Sequence, residues 1–266
     1  AQLRPKKSWG QNFLRDTHVH QRIAAAAGPL VGQTVLELGA GLGALTGHLR
    51  QAGAQVIAVE RDRELVPLLR QTFADEPRLT VMEADAKGLD LAALAAAHGP
   101  LRVFGNLPYQ LSSRILVHLA GACGAVHTAV VLVQREVAER AAAPPGTQAG
   151  LLSILLQRRF SVEALFEVPP RAFYPAPKVC STVLRLRARP PVAAPDAALV
   201  WVARAAYAGR RKALRNTLAH ACGVSKDAMA ALCRSCELDP LARPESLDVA
   251  AFARLTCAMQ AAGCGP

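Results

Sequence analysis

Aromatic residues are scarce in this sequence, and long apolar runs are missing. Phe, Trp and Tyr make up 5% of the 266 residues, whereas 52% are hydrophobic, and much of that fraction is alanine, which favours helices. No stretch approaches the roughly 20 uninterrupted apolar residues of a membrane span. The basic start of the chain lacks the apolar core of a signal peptide. We therefore expect a cytoplasmic protein with no membrane partner.

The seven cysteines are scattered and odd in number, which is not the pattern of a disulfide framework. We expect reduced thiols in a cytosol-like compartment. Cys233 and Cys236 form a single C-x-x-C pair, but no second pair stands at the spacing of a zinc site. Two thiols on one helical face is the simpler interpretation, so no metal is expected.

The net charge is strongly basic and unevenly distributed. The chain has 31 Lys and Arg residues against 20 Asp and Glu residues, a formal net charge of +11. Residues 1–133 carry 13 bases and 10 acids, net +3, whereas residues 134–266 carry 18 and 10, net +8. This balance favours a polyanionic partner that contacts mainly the second half of the chain.

Patterns typical of buried strands alternate with helical patterns through most of the chain. The strand-like segments are residues 34–38, 55–59, 79–83, 101–103, 128–134, 160–166 and 181–186. The alternation predicts an α/β fold with a doubly wound, Rossmann-like and mostly parallel seven-stranded sheet. A Pro-rich run at 189–195 is followed by helical patterns only. We therefore expect one domain at 1–189 and a small all-helical domain at 196–266.

A glycine-rich turn follows the first of these strands. Gly39, Gly41 and Gly43 lie between a buried strand and a helix, where glycine lets the backbone approach a ligand and the helix N-terminus offers free N–H groups. Glu60 ends the next strand, about 20 residues beyond the glycines, which is where a ribose diol is held in dinucleotide-type sites. Asp85 follows the third strand at its carboxyl end, where it could accept from an adenine amine of a bound cofactor.

The motif Asn106-Leu107-Pro108-Tyr109 stands at the carboxyl end of the fourth strand, where open α/β sheets place their ligands. The amide oxygen of Asn106 and a backbone carbonyl beside Pro108 can both accept hydrogen bonds from an exocyclic NH2 group. Tyr109 can stack on the ring that carries this amine. The motif is typical of a pocket for a base pulled out of its stack. The simpler alternative is a polar turn with a buried tyrosine.

Three further segments suit ligand binding, and each has a simpler alternative. In residues 9–16, Phe13 and Leu14 between polar amides indicate either an ordinary lid or a ligand contact. The proline-stiffened loop 169–178 holds two aromatics and two bases, which suits base stacking, or a hydrophobic plug over the sheet. Residues 209–216 place four cations at a predicted helix start. A solvated basic face is the default there, but the charge of this half favours a phosphate-binding face.

Five motifs occur in a fixed order between about residues 6 and 218. They are Gly10-Gln11-Asn12-Phe13-Leu14, the Glu37-x-Gly39-x-Gly41-x-Gly43 turn, Asn106-Leu107-Pro108-Tyr109, Phe173-Tyr174-Pro175-Ala176-Pro177-Lys178-Val179 and Arg210-Arg211-Lys212-x-x-Arg215-Asn216. Together they resemble the KsgA family of ribosomal RNA small subunit adenine N6-dimethyltransferases. Ala40 stands where proline is common in that family, a mild departure outside the expected chemistry.

The resemblance implies an S-adenosylmethionine-dependent enzyme of ribosome biogenesis. Its expected reaction transfers methyl groups to N6 of two adjacent adenines in the 3′-terminal hairpin of small-subunit rRNA, giving N6,N6-dimethyladenines. The expected partner is this rRNA or a 30S assembly intermediate, and a monomer is the plain expectation.

The resemblance also assigns roles to matching residues. The cofactor set comprises Gln11, Asn12, Leu14, Gly39, Gly41, Glu60, Asp85, Ala86 and Asn106. The catalytic set comprises Asn106, Leu107, Pro108, Tyr109 and Phe173. The RNA-binding set comprises Lys6, Lys7, Lys178, Arg210, Arg211, Lys212 and Arg215. Tyr109 and Phe173 are expected to enclose the flipped adenine.

Two other functions remain open from the sequence. A large-subunit rRNA adenine methylase that confers antibiotic resistance has the same chemistry, but usually has isoleucine and often phenylalanine where this chain has Leu107 and Tyr109. A non-catalytic ribosome-assembly or transcription factor on the same fold is a different class. The glycines, Glu60, Asp85 and Asn106 argue against loss of catalysis.

Overall fold

A computed structural model describes residues 11–122, 124–146, 148–209 and 211–265 of the chain. The chain divides into two compact units. The first comprises residues 1–138 and 161–188, and the second comprises residues 139–160 and 189–266. No helix within the described ranges is long and apolar enough to cross a membrane.

The elements of the first unit alternate between strand and helix. In chain order they are β1 (Phe13–Leu14), α1 (Thr17–Ala25), β2 (Thr34–Leu38), α2 (Ala44–Gln51), β3 (Gln55–Glu60), α3 (Leu65–Thr72), β4 (Leu79–Glu83), α4 (Leu91–His98), β5 (Leu101–Asn106), α5 (Ser112–Gly121) and β6 (Val126–Gln134). Two helices, α6 (Arg135–Ala142) and α7 (Leu151–Gln157), precede β7 (Phe160–Val168), β8 (Phe173–Tyr174) and β9 (Ser181–Ala188).

Seven strands form the central sheet in the order β4-β3-β2-β5-β6-β9-β7. Strands β2 to β6 are parallel to one another, whereas β9 runs antiparallel to β6. The predicted Rossmann-like, mostly parallel seven-stranded sheet is therefore confirmed. The chain builds β2, β3 and β4 towards one edge and then returns to place β5 on the other side of β2. The strand order thus switches between β2 and β5, where sheets of this kind bind ligands.

The central strands are apolar along their length because helices cover both faces of a parallel sheet. Val103 and Phe104 of β5 are completely buried, as are residues 129–133 of β6. Leu14 and Val19 from the N-terminal segment join the same core cluster. This packing fixes the strand ends, and the loops after them carry the chemistry-bearing side chains.

The second unit is helical, with a core of its own. Its later helices are α8 (Asp196–Tyr207), α9 (Leu214–Cys222), α10 (Lys226–Ser235) and α11 (Val249–Ala261). Their apolar faces meet around Phe252 and Leu255, both completely buried. The expected boundary at 189 differs from this division, because residues 139–160 belong to the helical unit. Ile154 of α7 packs into the helical core, and Arg158 Nε donates to Asp196 Oδ1 at 2.8 Å.

The glycine turn between β2 and α2 is held in a conformation that only glycine adopts easily. Gly39, Gly41 and Gly43 have φ of +75°, +58° and +84°. A Cβ atom on Gly43 would lie 2.4 Å from Cε2 of Phe73 and 2.8 Å from Cδ1 of Leu69. The turn therefore packs directly against α3, and its third glycine is required by both backbone angle and space.

We expect Gly43→Ala to lower the free energy of unfolding by about 2–4 kcal/mol, since left-handed strain and overpacking add. Gly47→Ala is the matched control. Gly47 lies inside α2 with no atom within 4 Å of an added Cβ, so this change should stabilise the helix by about 0.5–1 kcal/mol. Urea denaturation of both variants measures the difference. Equal unfolding free energies for the Gly43→Ala and Gly47→Ala variants would contradict this account of the turn.

Candidate active site

A cavity of about 360 Å³ lies at the carboxyl ends of the strands on either side of the switch point. This volume is within the usual range for small-molecule sites. All nine residues of the predicted cofactor set line it, and so do Leu107, Pro108 and Tyr109 of the predicted catalytic set. Motifs far apart in the sequence therefore meet at one place.

Glu60 connects the end of β3 to the glycine turn. Its Oε2 accepts from Gly41 N at 2.8 Å, and its Oε1 accepts from Arg61 N and Asp62 N, each at 2.8 Å. The residue is 6% exposed and lines the cavity. Each carboxylate oxygen has more than one acceptor position. Glu60 can therefore hold the turn and also accept from a ligand hydroxyl.

Two further carboxylates stand near this end of the cavity. Asp62 is 2% exposed, and its Oδ2 accepts from Gln11 Nε2 at 3.0 Å, which attaches the N-terminal segment to the turn after β3. Asp85, after β4, lies at the cavity with its Oδ2 3.5 Å from Arg61 Nη1 and 3.3 Å from Lys87 Nζ.

Asn106 at the end of β5 has its amide orientation fixed by the N-terminal segment. Its Nδ2 donates to the backbone carbonyl of Asn12 at 2.8 Å. Among the residues described, none donates to Asn106 Oδ1. One of the two amide N–H donors is therefore occupied, and Oδ1 is available as an acceptor in the lining of the cavity.

The backbone after Asn106 offers a second acceptor. The Pro108 carbonyl already accepts from Leu111 N at 2.9 Å, and the Tyr109 carbonyl accepts from Ser112 Oγ at 3.1 Å. The Leu107 carbonyl accepts from no donor in the described part of the chain. Leu107 itself is 1% exposed, and its N–H donates to Leu132 O at 3.0 Å, which anchors the motif to β6.

Tyr109 is half-buried beside this acceptor. Its hydroxyl lies 2.7 Å from Ser181 Oγ at the start of β9. Burial raises the pKa of the Tyr109 phenol, and the hydrogen bond to Ser181 opposes that change. The ring is therefore a neutral, positioned surface.

Phe173 does not line the cavity. It lies in β8, which pairs with β1 so that Leu14 faces Phe173 and Phe13 faces Tyr174. Phe173 is 4% exposed and packs in the core with Leu14. The expected Tyr109–Phe173 enclosure of a base is not formed in this structure, because the side chain belongs to the buried face of the two-stranded ladder. Phe173 as a stacking residue stays a prediction.

The predicted RNA-binding residues are divided between the two units. Lys178 is exposed in the loop before β9 of the first unit. Arg211 and Lys212 are exposed just before α9 of the second unit, and Arg215 is half-buried in the first turn of that helix. Lys6, Lys7 and Arg210 lie outside the described residues. Helix α9 begins at Leu214, within the segment 209–216 where a helix start is predicted.

Sequence reasoning gave no role to Glu37 and His20, which also line the cavity. Thr46 Oγ1 donates to Glu37 Oε2 at 2.6 Å, and burial raises the pKa of Glu37 to about 8. Burial, assisted by the neighbouring His48 ring, lowers the pKa of His20 to about 4. Both groups are therefore neutral at pH 7. The detectable signal was a carboxylate in the middle of an apolar strand, two residues before the glycine turn.

The fold and the cavity define the class of protein. The sheet is that of a Rossmann-like methyltransferase, with a glycine turn at the switch point and an amide-proline-tyrosine motif at the end of the adjacent strand. The family model for "Ribosomal RNA adenine dimethylase" matches residues 2–254. The chain belongs to the ribosomal RNA adenine dimethylase family, and the resemblance stated from its motifs is confirmed.

Relatives and solved structures agree with this placement. A protein of Anaeromyxobacter sp. (strain K) named "Ribosomal RNA small subunit methyltransferase A" is 48% identical over 265 residues, covering 95% of this chain and 93% of that protein. A dimethyladenosine transferase from Plasmodium falciparum has a TM-score of 0.78 at 22% identity, covering 95% and 99% of the chains. The 23S rRNA methyltransferase ErmE has a TM-score of 0.72 at 26% identity, covering 94% and 100%.

We expect Glu37→Gln to become more stabilising as pH rises. Wild-type Glu37 ionises near 4.5 when unfolded and near 8 when folded, because burial raises its pKa. The folded state binds more protons between these values, so the stability that this group contributes is full below about pH 4.5 and is lost as pH rises to about 8. Glutamine has no such loss.

Urea denaturation at pH 5 and pH 8, without ligand, measures this effect. The unfolding free energy of Glu37→Gln minus that of the wild type should be larger at pH 8. Glu167→Gln removes an exposed carboxylate and serves as the control. A difference for Glu37→Gln that stays constant between pH 5 and pH 8 would show that the folded carboxyl is already ionised at pH 5.

Proposed function

We propose that this protein transfers methyl groups from S-adenosylmethionine to N6 of two adjacent adenines in the 3′-terminal hairpin of small-subunit rRNA. One observation carries the proposal: Asn106 has its amide N–H held by the Asn12 carbonyl, which leaves Oδ1 as an acceptor at the cavity. An adenine N6 amine is a donor that matches this acceptor.

The residues at the cavity fit the proposed methyl donor. The donor has a ribose diol, an adenine and a cationic sulfur, and the cavity provides Glu60, Asp85 and the cradle of Gly39 and Gly41. A Cβ atom on Gly41 would lie 3.2 Å from Cε1 of the Phe13 ring, a tight contact, and Gly41 has a φ of +58°, which favours glycine. When bound, S-adenosylmethionine supplies an electrophilic methyl group.

The acceptor chemistry follows from two oxygen atoms. The adenine amine is a poor nucleophile because its lone pair is delocalised into the ring. Asn106 Oδ1 and the Leu107 carbonyl would each accept one N–H, hold the nitrogen nearer sp3 and direct its lone pair at the methyl carbon. The gain is orientation and electrostatic stabilisation of the developing cation, with no strong base needed before transfer.

Tyr109 would hold the flipped adenine by stacking. Its hydroxyl is fixed by Ser181, so the ring loses little freedom on binding. Base–aromatic stacking tolerates any base, whereas the two oxygen acceptors require an exocyclic amine. Leu107, smaller than an aromatic residue, is compatible with room for a monomethylated amine and so for a second transfer.

Small-subunit rRNA is the substrate that the relatives favour over large-subunit rRNA. Relatives at 42–48% identity carry the name "Ribosomal RNA small subunit methyltransferase A", whereas the 23S rRNA enzyme ErmE is 26% identical. The motif agrees, because Leu107 and Tyr109 differ from the residues usual in the large-subunit methylases. We propose a monomer that acts in the cytoplasm on a 30S assembly intermediate.

The helical unit is the proposed rRNA-binding domain. Arg211 and Lys212 are exposed before α9, whereas two N–H groups at the start of that helix are occupied, since Leu214 N donates to Ala242 O and Arg215 N donates to Pro240 O. Phosphates would therefore meet the side chains of Arg211 and Lys212 rather than the helix N-terminus.

Methyl transfer to unmethylated small subunits, mapped by primer extension, tests the proposed function. Wild-type protein should modify two adjacent adenines of the terminal hairpin. Asn106→Ala should leave donor binding in calorimetry largely intact and turn over at least ~100-fold more slowly, as for removal of one preorganised polar group. Gln110→Ala, an exposed neighbour, is the matched control. Near-normal methylation by Asn106→Ala, or label in the large subunit only, would contradict the proposal.

We expect the double variant Arg211→Gln with Lys212→Gln to bind rRNA more weakly without any loss of donor affinity. The dependence of log affinity on log salt concentration should become shallower by about 1 for each phosphate that the variant no longer neutralises. Filter binding to small subunits across a salt series measures the slope. Lys226→Gln, an exposed cation on α10, is the control. An unchanged slope would remove these two residues from the RNA interface.

A further inference from the structure

The two-stranded ladder of β1 and β8 has one buried and one open face. Residues directly opposite each other in an antiparallel pair point to the same side. Leu14 and Phe173 are opposite each other and are 6% and 4% exposed. Phe13 and Tyr174 are the other pair; Phe13 lines the cavity, and Tyr174 is 56% exposed. An exposed tyrosine ring therefore stands beside the cavity, on the same face as one of its walls.

Arg15 connects this ring to the cavity. Arg15 lines the cavity, and its Cζ lies 5.8 Å from the centroid of the Tyr174 ring. Arg15 N donates to Ala172 O at 2.8 Å, which continues the ladder and fixes the two segments together. No carboxylate of the described residues forms an ion pair with Arg15. A cation and an aromatic face are thus presented together at the edge of the cavity.

We propose that Arg15 and Tyr174 form a flanking-base platform, on which the nucleotide next to the target adenine is held during methyl transfer. Tyr174 stacks on the flanking base, and Arg15 contacts the phosphate that joins it to the target nucleotide. The inference rests on the proposed function and adds a contact outside the cavity to it.

Energetics favour a nucleotide as the occupant. Extruding an adenine costs unstacking energy, and its neighbour loses a stacking partner as well. An aromatic ring just outside the cavity replaces that partner, and the guanidinium matches the phosphate charge. Because the two target adenines are adjacent, whichever one is in the cavity has a purine beside it. A purine offers the larger ring face to Tyr174.

Steady-state methylation of unmethylated small subunits tests the platform. Tyr174→Ala should lower kcat/KM by about 5- to 150-fold, the decrease expected for one base–aromatic stack, mainly through KM. Tyr174→Phe keeps the ring and should stay within about twofold of the wild type. Val179→Ala removes another exposed apolar side chain of the same loop and is the matched control. Donor affinity and thermal melting should match the wild type in every variant.

A second substrate makes the test specific for stacking. In small subunits with uridine in place of one target adenine, wild type should methylate the remaining adenine with a lower kcat/KM, because a pyrimidine stacks less well. Tyr174→Ala should show less of this discrimination, since ring and base are coupled in a double-mutant cycle. If the wild type is active and Tyr174→Ala has the same kcat/KM, the platform is overturned and the proposed function stands. The same conclusion follows if Tyr174→Phe loses as much kcat/KM as Tyr174→Ala. An inactive wild type would overturn the proposed function and the platform with it.

Discussion

The hydrogen bond from Asn106 Nδ2 to the Asn12 carbonyl is the interaction on which the proposed chemistry depends. An asparagine amide has a donor end and an acceptor end of nearly equal shape, so its rotation by half a turn would present N–H groups to an incoming amine. The bond to Asn12 selects the productive orientation at the end of β5. The N-terminal segment is therefore part of the acceptor site, and its other attachments, to Asp62 and to β8, stabilise that same orientation.

Much of this arrangement follows from the sequence, because parallel strands bring their carboxyl ends to one edge of a sheet. Glu60 and Asn106 each end a strand and Asp85 follows β4 by two residues, so all three lie at that edge and line the cavity. The glycine turn could also be predicted from the sequence, because three glycines between a strand and a helix indicate a tight turn. The seven strands were predicted within a few residues for the same reason: their apolar runs are too short and too well punctuated for helices.

Contacts between segments that are far apart in the sequence could not be predicted in the same way. Residues 13–14 and 173–174 are separated in the sequence by most of the sheet-forming segments. In addition, strands of two residues have no periodicity to detect. The pairing of these two strands buries Phe173, which the motif predicts as a stacking residue, and leaves Tyr174 exposed. The helix α7 was likewise placed with the sheet because it precedes β7 in the chain, whereas the side chain of Ile154 packs with the helical core. The raised pKa of Glu37 depends on the burial of its carboxyl group, which a single sequence does not show.

The antiparallel direction of β9 has a consequence for how the molecule can vary. Because β9 runs against β6, its first residue, Ser181, lies opposite Gln134, the last residue of β6, at the ligand edge of the sheet. A parallel β9 would begin at the opposite edge, and the Tyr109 hydroxyl would have no Ser181 to contact. The reversal thus makes the segment before β9 arrive at this edge of the sheet, while the glycine turn belongs to other strands. Substitutions in this loop can therefore change the exposed surface around Tyr174 without altering the glycine turn.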